Sequence, residues 1–136
     1  MANLTGGCQC GAVRYEAEGE AAFAAHCQCN DCKKSSGAGH ATAACFPESA
    51  VKFTGKTKAY ASKADSGGQA SREFCPECGG RLVYRSSNFA GMVLLMAGSL
   101  DDPSRITPGA AIYDKRHIAW DHFDPALPRP PEMPPA

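Results

Sequence analysis

In "AVRYEAE", residues 12 to 18, Val13, Tyr15 and Ala17 fall on one side of an extended chain and Arg14, Glu16 and Glu18 on the other. That period of two predicts a strand with one face buried. Short runs of similar character follow at about 20 to 25 and 40 to 46, then in "VKF", "KAYAS", "SREF", "RLVY", "MVLLMA" and "AAIY", mostly separated by Gly, Pro, Ser or Asp. Many short strands with frequent turns predict an antiparallel, mainly β domain. One short helix is expected at about 30 to 36, where Asn30 or Asp31 can cap a first turn just after Cys29. No repeat of solenoid length is visible. The last fourteen residues, "FDPALPRPPEMPPA", hold six of the ten prolines. This tail, from about residue 123, reads as extended chain that cannot join a central strand and that lies over the surface or loose in solvent.

Length sharpens the picture: 136 residues suit a single domain spanning 1–136 with one modest core. Fourteen basic residues balance fourteen acidic ones, so the chain lacks the electrostatic footprint that nucleic acid or an anionic membrane selects. The start, "MANLTGGCQC", has neither the basic nor the apolar region of a secretion signal, and "MVLLMA" is far too short to span a bilayer. The expectation is a soluble, cytoplasmic protein with neither nucleic acid nor membrane as partner. In a reducing compartment, eight cysteines in short clusters point to metal before disulfides.

The clusters are "CQC" at 8 and 10, "CQCNDC" at 27, 29 and 32, and "CPEC" at 75 and 78, with Cys45 apart. In "FCPECGG" two thiolates can clasp one metal while Gly79 or Gly80 supplies the turn that follows. A redox C-x-x-C normally opens a helix in a βαβ setting, which the strand-like flanks here do not provide. Cys8 and Cys10 can complete a four-thiolate zinc site with Cys75 and Cys78, although 65 positions separate Cys10 from Cys75. Closing that loop would support a small core. Cys27, Cys29 and Cys32 are then left as three ligands, the arrangement of a zinc that keeps one position for substrate. Amides at the start of the expected helix, with Lys33 and Lys34, favour thiolate there. Two readings of this cluster stand side by side: an open site, or one closed by Cys45 or His26. A lone cysteine on the Ala41 and Ala43 strand face suits core packing, and an extended chain turns His26 away from Cys27.

The pieces "GGCQCGAVRYE", "HCQCNDCKKSSG", "FCPECGGRLVY", "AGSLDDP" and a closing "W" followed by "LP", in that order, resemble the glutathione-dependent formaldehyde-activating enzyme family, which includes centromere protein V. The resemblance implies tent-like antiparallel sheets organised around zinc, with one or two short helices. It implies two zinc ions per chain, a structural one on Cys8, Cys10, Cys75 and Cys78 and a catalytic one on Cys27, Cys29 and Cys32. The implied reaction is condensation of formaldehyde with glutathione to S-hydroxymethylglutathione, a carbon-sulfur lyase activity whose partners are a small thiol and an aldehyde. Many relatives carry histidine where this chain has Gln28, and glutamine cannot shuttle a proton. The alternative from another class is a non-catalytic zinc-stabilised β scaffold that binds a macromolecule. A third reading makes the central cysteines a thiol redox sensor.

Other residues have simpler readings. Asp101 and Asp102 in "GSLDDPS" suit a turn or a helix cap better than an acid and base pair. His40, His117 and His122 read as surface or strand positions outside the clusters. Arg72, Lys33 and Lys34 are candidates for the carboxylates of a tripeptide, against the simpler reading of solvated charge. Trp120 is expected to cover a core edge.

Overall fold

The computed structural model describes residues 3–64 and 67–133. Its strands are β1 (Leu4–Gly7), β2 (Arg14–Ala17), β3 (Phe23–Cys27), β4 (Ala41–Pro47), β5 (Val51–Thr54), β6 (Lys58–Lys63), β7 (Gln69–Phe74), β8 (Arg81–Ser86), β9 (Met92–Met96) and β10 (Ala111–Ile112); helix α1 is Asn30–Ser36. The strands form a three-stranded sheet, β1-β2-β5, and a seven-stranded sheet, β10-β3-β4-β9-β8-β7-β6. The mainly β expectation holds. All strand pairings are antiparallel except that of the two-residue β10, which runs parallel to β3.

The alternation in "AVRYEAE" is realised as read: Val13, Tyr15 and Ala17 are buried against Phe46, Leu82, Val83, Val93 and Leu95 of the large sheet. Burying each of the larger apolar side chains contributes about 1.5–3 kcal/mol. β1 escapes the pattern because "LTGG" is short and half glycine. Its glycines are required by packing: a Cβ on Gly6 would stand 2.5 Å from the Ser99 carbonyl oxygen and closer still to the Tyr15 hydroxyl.

The "GSLDDP" segment locks the two sheets' connections. Arg14 forks onto Asp101, with Nη1 donating to Oδ1 at 2.9 Å and Nη2 to Oδ2. Thr5 Oγ1 donates to Asp101 Oδ2 at 2.7 Å, and the Asp101 amide donates to the Thr5 carbonyl at 2.9 Å. Asp102 caps the 3₁₀ turn Pro103–Arg105, accepting from the Ser104 amide. The pair is structural, as its turn chemistry suggests.

Two departures from regularity position the chemistry. Between β7 and β8, Arg72 faces Tyr84 and Glu73 faces Val83, but Phe74 faces Arg81. This bulge adds one residue to β8, so Arg81 lies on the same sheet face as Tyr84 despite the odd spacing. The proline-rich tail is also ordered over its described part. The carbonyls of Pro128, Pro130, Pro131 and Glu132 accept from the amides of Ala111, Asp114, Lys115 and Tyr113 at 2.9–3.3 Å. Prolines donate nothing to a ladder but accept normally, so the tail binds the β10 edge as an acceptor strap. Residues 134–136 of that tail lie outside the described residues. Among the described residues, no helix is long and apolar enough to cross a membrane.

Candidate functional site

The "CQC" and "CPEC" pairs occupy matching loops. Cys8 and Cys10 fill the β1–β2 connection, where the Cys8 amide reaches the Val13 carbonyl and the Gly11 amide reaches the Cys8 carbonyl. Cys75 and Cys78 fill the β7–β8 turn, closed by Cys75 N to Gly80 O at 3.0 Å and Gly79 N to Cys75 O at 2.8 Å. Gly11 and Gly79, at φ +82° and +76°, take the left-handed conformation that each tight loop needs. The four sulfurs lie within 4.8 Å of one another. Cys8 to Cys10 and Cys10 to Cys75 are each 3.7 Å. A disulfide needs about 2.05 Å, whereas tetrahedral zinc with bonds of about 2.3 Å sets its sulfurs about 3.8 Å apart. Backbone amides point at the sulfurs as they do at thiolates: Val13 N donates to Cys8 Sγ and Glu77 N to Cys75 Sγ, both at 3.3 Å. The Val13 amide, followed by the neighbouring thiols, pulls Cys8 down to about 6. A Cβ on Gly80 would press on Cys8 Cβ at 3.2 Å and Cys78 Sγ at 3.4 Å, so the space is kept for sulfur. This donor set fits zinc.

The second group is Cys27, Cys29 and Cys32, again with sulfurs within 4.8 Å. Cys27 ends β3, Cys29 is the residue that caps α1, and Cys32 lies in its first turn. The cap expected from Asn30 or Asp31 is thus a cysteine, whose Sγ accepts from the Cys32 amide at 3.3 Å. Hydrogen bonds from Cys27 and Cys32 draw the Cys29 thiol below its usual range, while Cys29 and then Cys32 push Cys27 up. Three sulfurs this close repel one another as thiolates, a charge arrangement that suits a divalent cation.

Neither proposed fourth ligand joins them among the described residues. Cys45 is fully buried in β4, between Phe23 of β3 and Leu94 of β9. His26 turns away, its Nδ1 2.7 Å from Thr42 Oγ1 and its ring against His40 and Phe123. Burial, then the charge of His40, holds His26 below the ordinary histidine range. The histidines are less peripheral than their sequence positions suggest. His40 pairs with Asp121 at 2.7 Å, and Phe123 packs against His26, His40 and His117.

Gln28, between two of the thiols, is fully buried and faces away from them. Its Nε2 donates to Asp114 Oδ1 at 3.2 Å, so its Oε1 accepts from His117 Nδ1 at 2.6 Å. Arg129 of the tail donates to the same Asp114 oxygen at 2.8 Å. The glutamine therefore braces the 114–117 turn and the tail behind the cluster.

On the other side stand Arg72, Tyr84 and Arg81. Arg72 is 6 % exposed, so the solvated-charge reading is overturned for it. Its guanidinium lies over the Tyr84 ring, 4.9 Å from the centroid, and its positive charge acts on the Cys29 and Cys32 sulfurs. Arg81 Nη1 donates to the Ser35 carbonyl at 2.7 Å, tying the end of α1 to β8. Of the lysines, Lys33 donates to the Arg116 carbonyl and Lys34 is exposed. Trp120 is 67 % exposed and does not cover a core edge. Gln28 was marked in the sequence only as a departure from the family, since its role depends on contacts 86 to 89 residues away; Tyr84 and Arg81 had no signal, because one depends on pairing with Arg72 and the other on a bulge.

Among the described residues, ten short strands and two convergent cysteine groups define a β protein whose cysteines could hold metal ions. The chain belongs to the glutathione-dependent formaldehyde-activating enzyme family, whose model matches residues 3–116. Among solved structures, that of a Rhodobacter sphaeroides protein superposes with a TM-score of 0.58 at 24 % identity, covering 71 % of this chain and 87 % of that one. At that identity the likeness shows the fold. No curated protein matches the sequence at a significant level.

Proposed function

We propose that the protein is a zinc-dependent carbon-sulfur lyase that forms or cleaves a thiol-aldehyde adduct of the S-hydroxymethylglutathione type. Cys8, Cys10, Cys75 and Cys78 hold a structural zinc, and Cys27, Cys29 and Cys32 hold a catalytic one. The observation that carries this reading is the inequality of the two groups: four convergent sulfurs in one, three in the other, with no fourth cysteine, histidine or carboxylate beside the three among the described residues. Zinc bound by three protein thiolates supplies a remaining position at which an external sulfur stays deprotonated near neutral pH.

The chain's own residues do the rest. The Cys32 amide fixes the Cys29 sulfur, and the Arg81 tether to Ser35 fixes α1 and with it Cys32. Gln28, locked between Asp114 and His117, sets the direction of the chain between Cys27 and Cys29. The positive charge of Arg72 offsets the accumulated thiolate charge on the buried side. In the net reaction the thiol sulfur bonds to the formaldehyde carbon, the carbonyl electron pair moves to oxygen, and the thiol's proton ends on that oxygen. Cleavage reverses each transfer. A reducing compartment, the cytoplasm, suits eight cysteines that are all free of disulfides.

The test is adduct formation from glutathione and formaldehyde, followed by NMR, together with zinc per chain. Two zinc ions and a rate above the uncatalysed reaction are expected, with the rate lost in Cys29→Ser. Two zinc ions without acceleration would leave the non-catalytic scaffold.

A further inference from the structure

Burying a guanidinium without hydrogen bonds is costly, and doing so beside a second one is more so. The face of the large sheet beside the three-cysteine group brings two arginines together, one with a buried Nε that has no partner. Arg72 is nine-tenths buried, yet its guanidinium forms no hydrogen bond among the described residues; its one contact of note is the Tyr84 ring. Arg81 spends Nη1 on Ser35, but its Nε is buried with no partner. The bulge brings the two arginines to one face, near enough for each to feel the other and for both to feel Cys32.

Thiolate charge explains part of this arrangement and leaves a remainder. A guanidinium serving only as counter-ion would hydrogen-bond a sulfur, as the Cys32 amide does with Cys29. Arg72 does not, and its planar fork stays available in a site stiffened by the Tyr84 ring. A fork of that kind matches the two oxygens of a carboxylate. The neighbouring lysines cannot take the role equally well, since Lys33 is engaged by Arg116 and Lys34 is exposed.

We infer that Arg72, stacked on Tyr84 and with Arg81 on the same sheet face, binds a carboxylate of the thiol substrate whose sulfur enters the three-cysteine site. The inference rests on the proposed thiol chemistry and names what selects the thiol: a substrate with an anionic arm is taken over a neutral one. Tyr84 acts as a positioning residue for Arg72, and Arg81 adds positive charge to the same face.

The experiment is calorimetric titration of the zinc-loaded full chain with glutathione and with glutathione diethyl ester, which keeps the thiol and removes both carboxylates. The wild type is expected to bind glutathione at least tenfold more tightly than the diester. Arg72→Gln is expected to weaken glutathione by tenfold or more and leave the diester unchanged, with zinc per chain and melting temperature retained; Arg72→Lys recovers part of the difference. Equal binding of the two thiols by the wild type overturns the inference without recourse to any variant. So does Arg72→Gln that weakens both equally, or that sheds zinc and so shows Arg72 to be a counter-ion alone. A wild type that prefers glutathione but does not accelerate adduct formation upholds Arg72 and removes the lyase reading, whereas acceleration with no preference removes Arg72 and keeps the lyase.

Discussion

Gly6 and Tyr15 illustrate how little slack single positions have. With the Ser99 carbonyl 2.5 Å from a would-be Cβ, Gly6→Ala forces backbone apart from backbone and should destabilise the domain by about 3 kcal/mol or more. Denaturant midpoints of the variant and wild type would measure it. Tyr15 donates its hydroxyl to Ser99 Oγ at 2.6 Å, Ser99 in turn donating to the Met96 carbonyl, and burial pushes the phenol up to about 12. The neutral form is the one the fold stabilises. Its contribution is therefore complete below the ordinary phenol value of about 10 and is lost as pH rises through about 12. Phenolate absorbance should show Tyr15 silent until that range, and Tyr15→Phe should be less sensitive to alkaline unfolding than the wild type. Cysteine spacing was legible at this scale because ligand type and interval are written locally. Arg72 was legible only as a candidate: "SREF" gives its strand, while its burial depends on Tyr84 arriving from another strand.

Elements show where pattern reading succeeds and where it stops. The range expected for α1 coincides with Asn30–Ser36, since the Gly37 stop at φ 71° and the polar start are local signals. The cap differed because a metal-binding type of side chain took the place of a polar one. The short apolar runs located β2 to β10, with β3 shifted towards Cys27, and missed β1, whose two glycines serve close packing and carry no hydrophobic signal. The tail was legible as proline-rich extended chain, but its docking depends on amides presented by Ala111 of β10 and by Tyr113, Asp114 and Lys115 of the turn that follows. Truncation after Leu127 removes four acceptors, each contributing about 1 kcal/mol. The expected result is a fall in melting temperature on the order of 10 °C and faster amide exchange at Ala111, Tyr113, Asp114 and Lys115. Unchanged exchange at those amides would show the strap to be dispensable.

For the whole molecule, the two cysteine groups divide stability from chemistry on the proposed assignment. Structural zinc binding contributes on the order of 10 kcal/mol, comparable with the total stability of a typical domain at about 5–15 kcal/mol. Cys78→Ser should therefore unfold the protein, while Cys29→Ser should keep the β-sheet circular dichroism and lose activity. Graded chelation should likewise release one metal with the fold intact and the second only with unfolding. Equal unfolding by the two substitutions would contradict the division. The sheet partition itself was not legible in sequence, because β5 and β6 are consecutive yet belong to different sheets, and the choice is made by long-range packing rather than by either strand.

Cys10 and Cys75 meet across 65 positions. On a ribosome, the first pair of sulfurs emerges several seconds before its companions at typical elongation rates of about 5–20 residues per second. Through that interval the newborn polypeptide carries bare, vicinal nucleophiles exposed to any oxidant or competing ion. On the proposed assignment, productive maturation depends on a well-buffered redox environment and a steady supply of the right cation at the moment the "CPEC" turn appears.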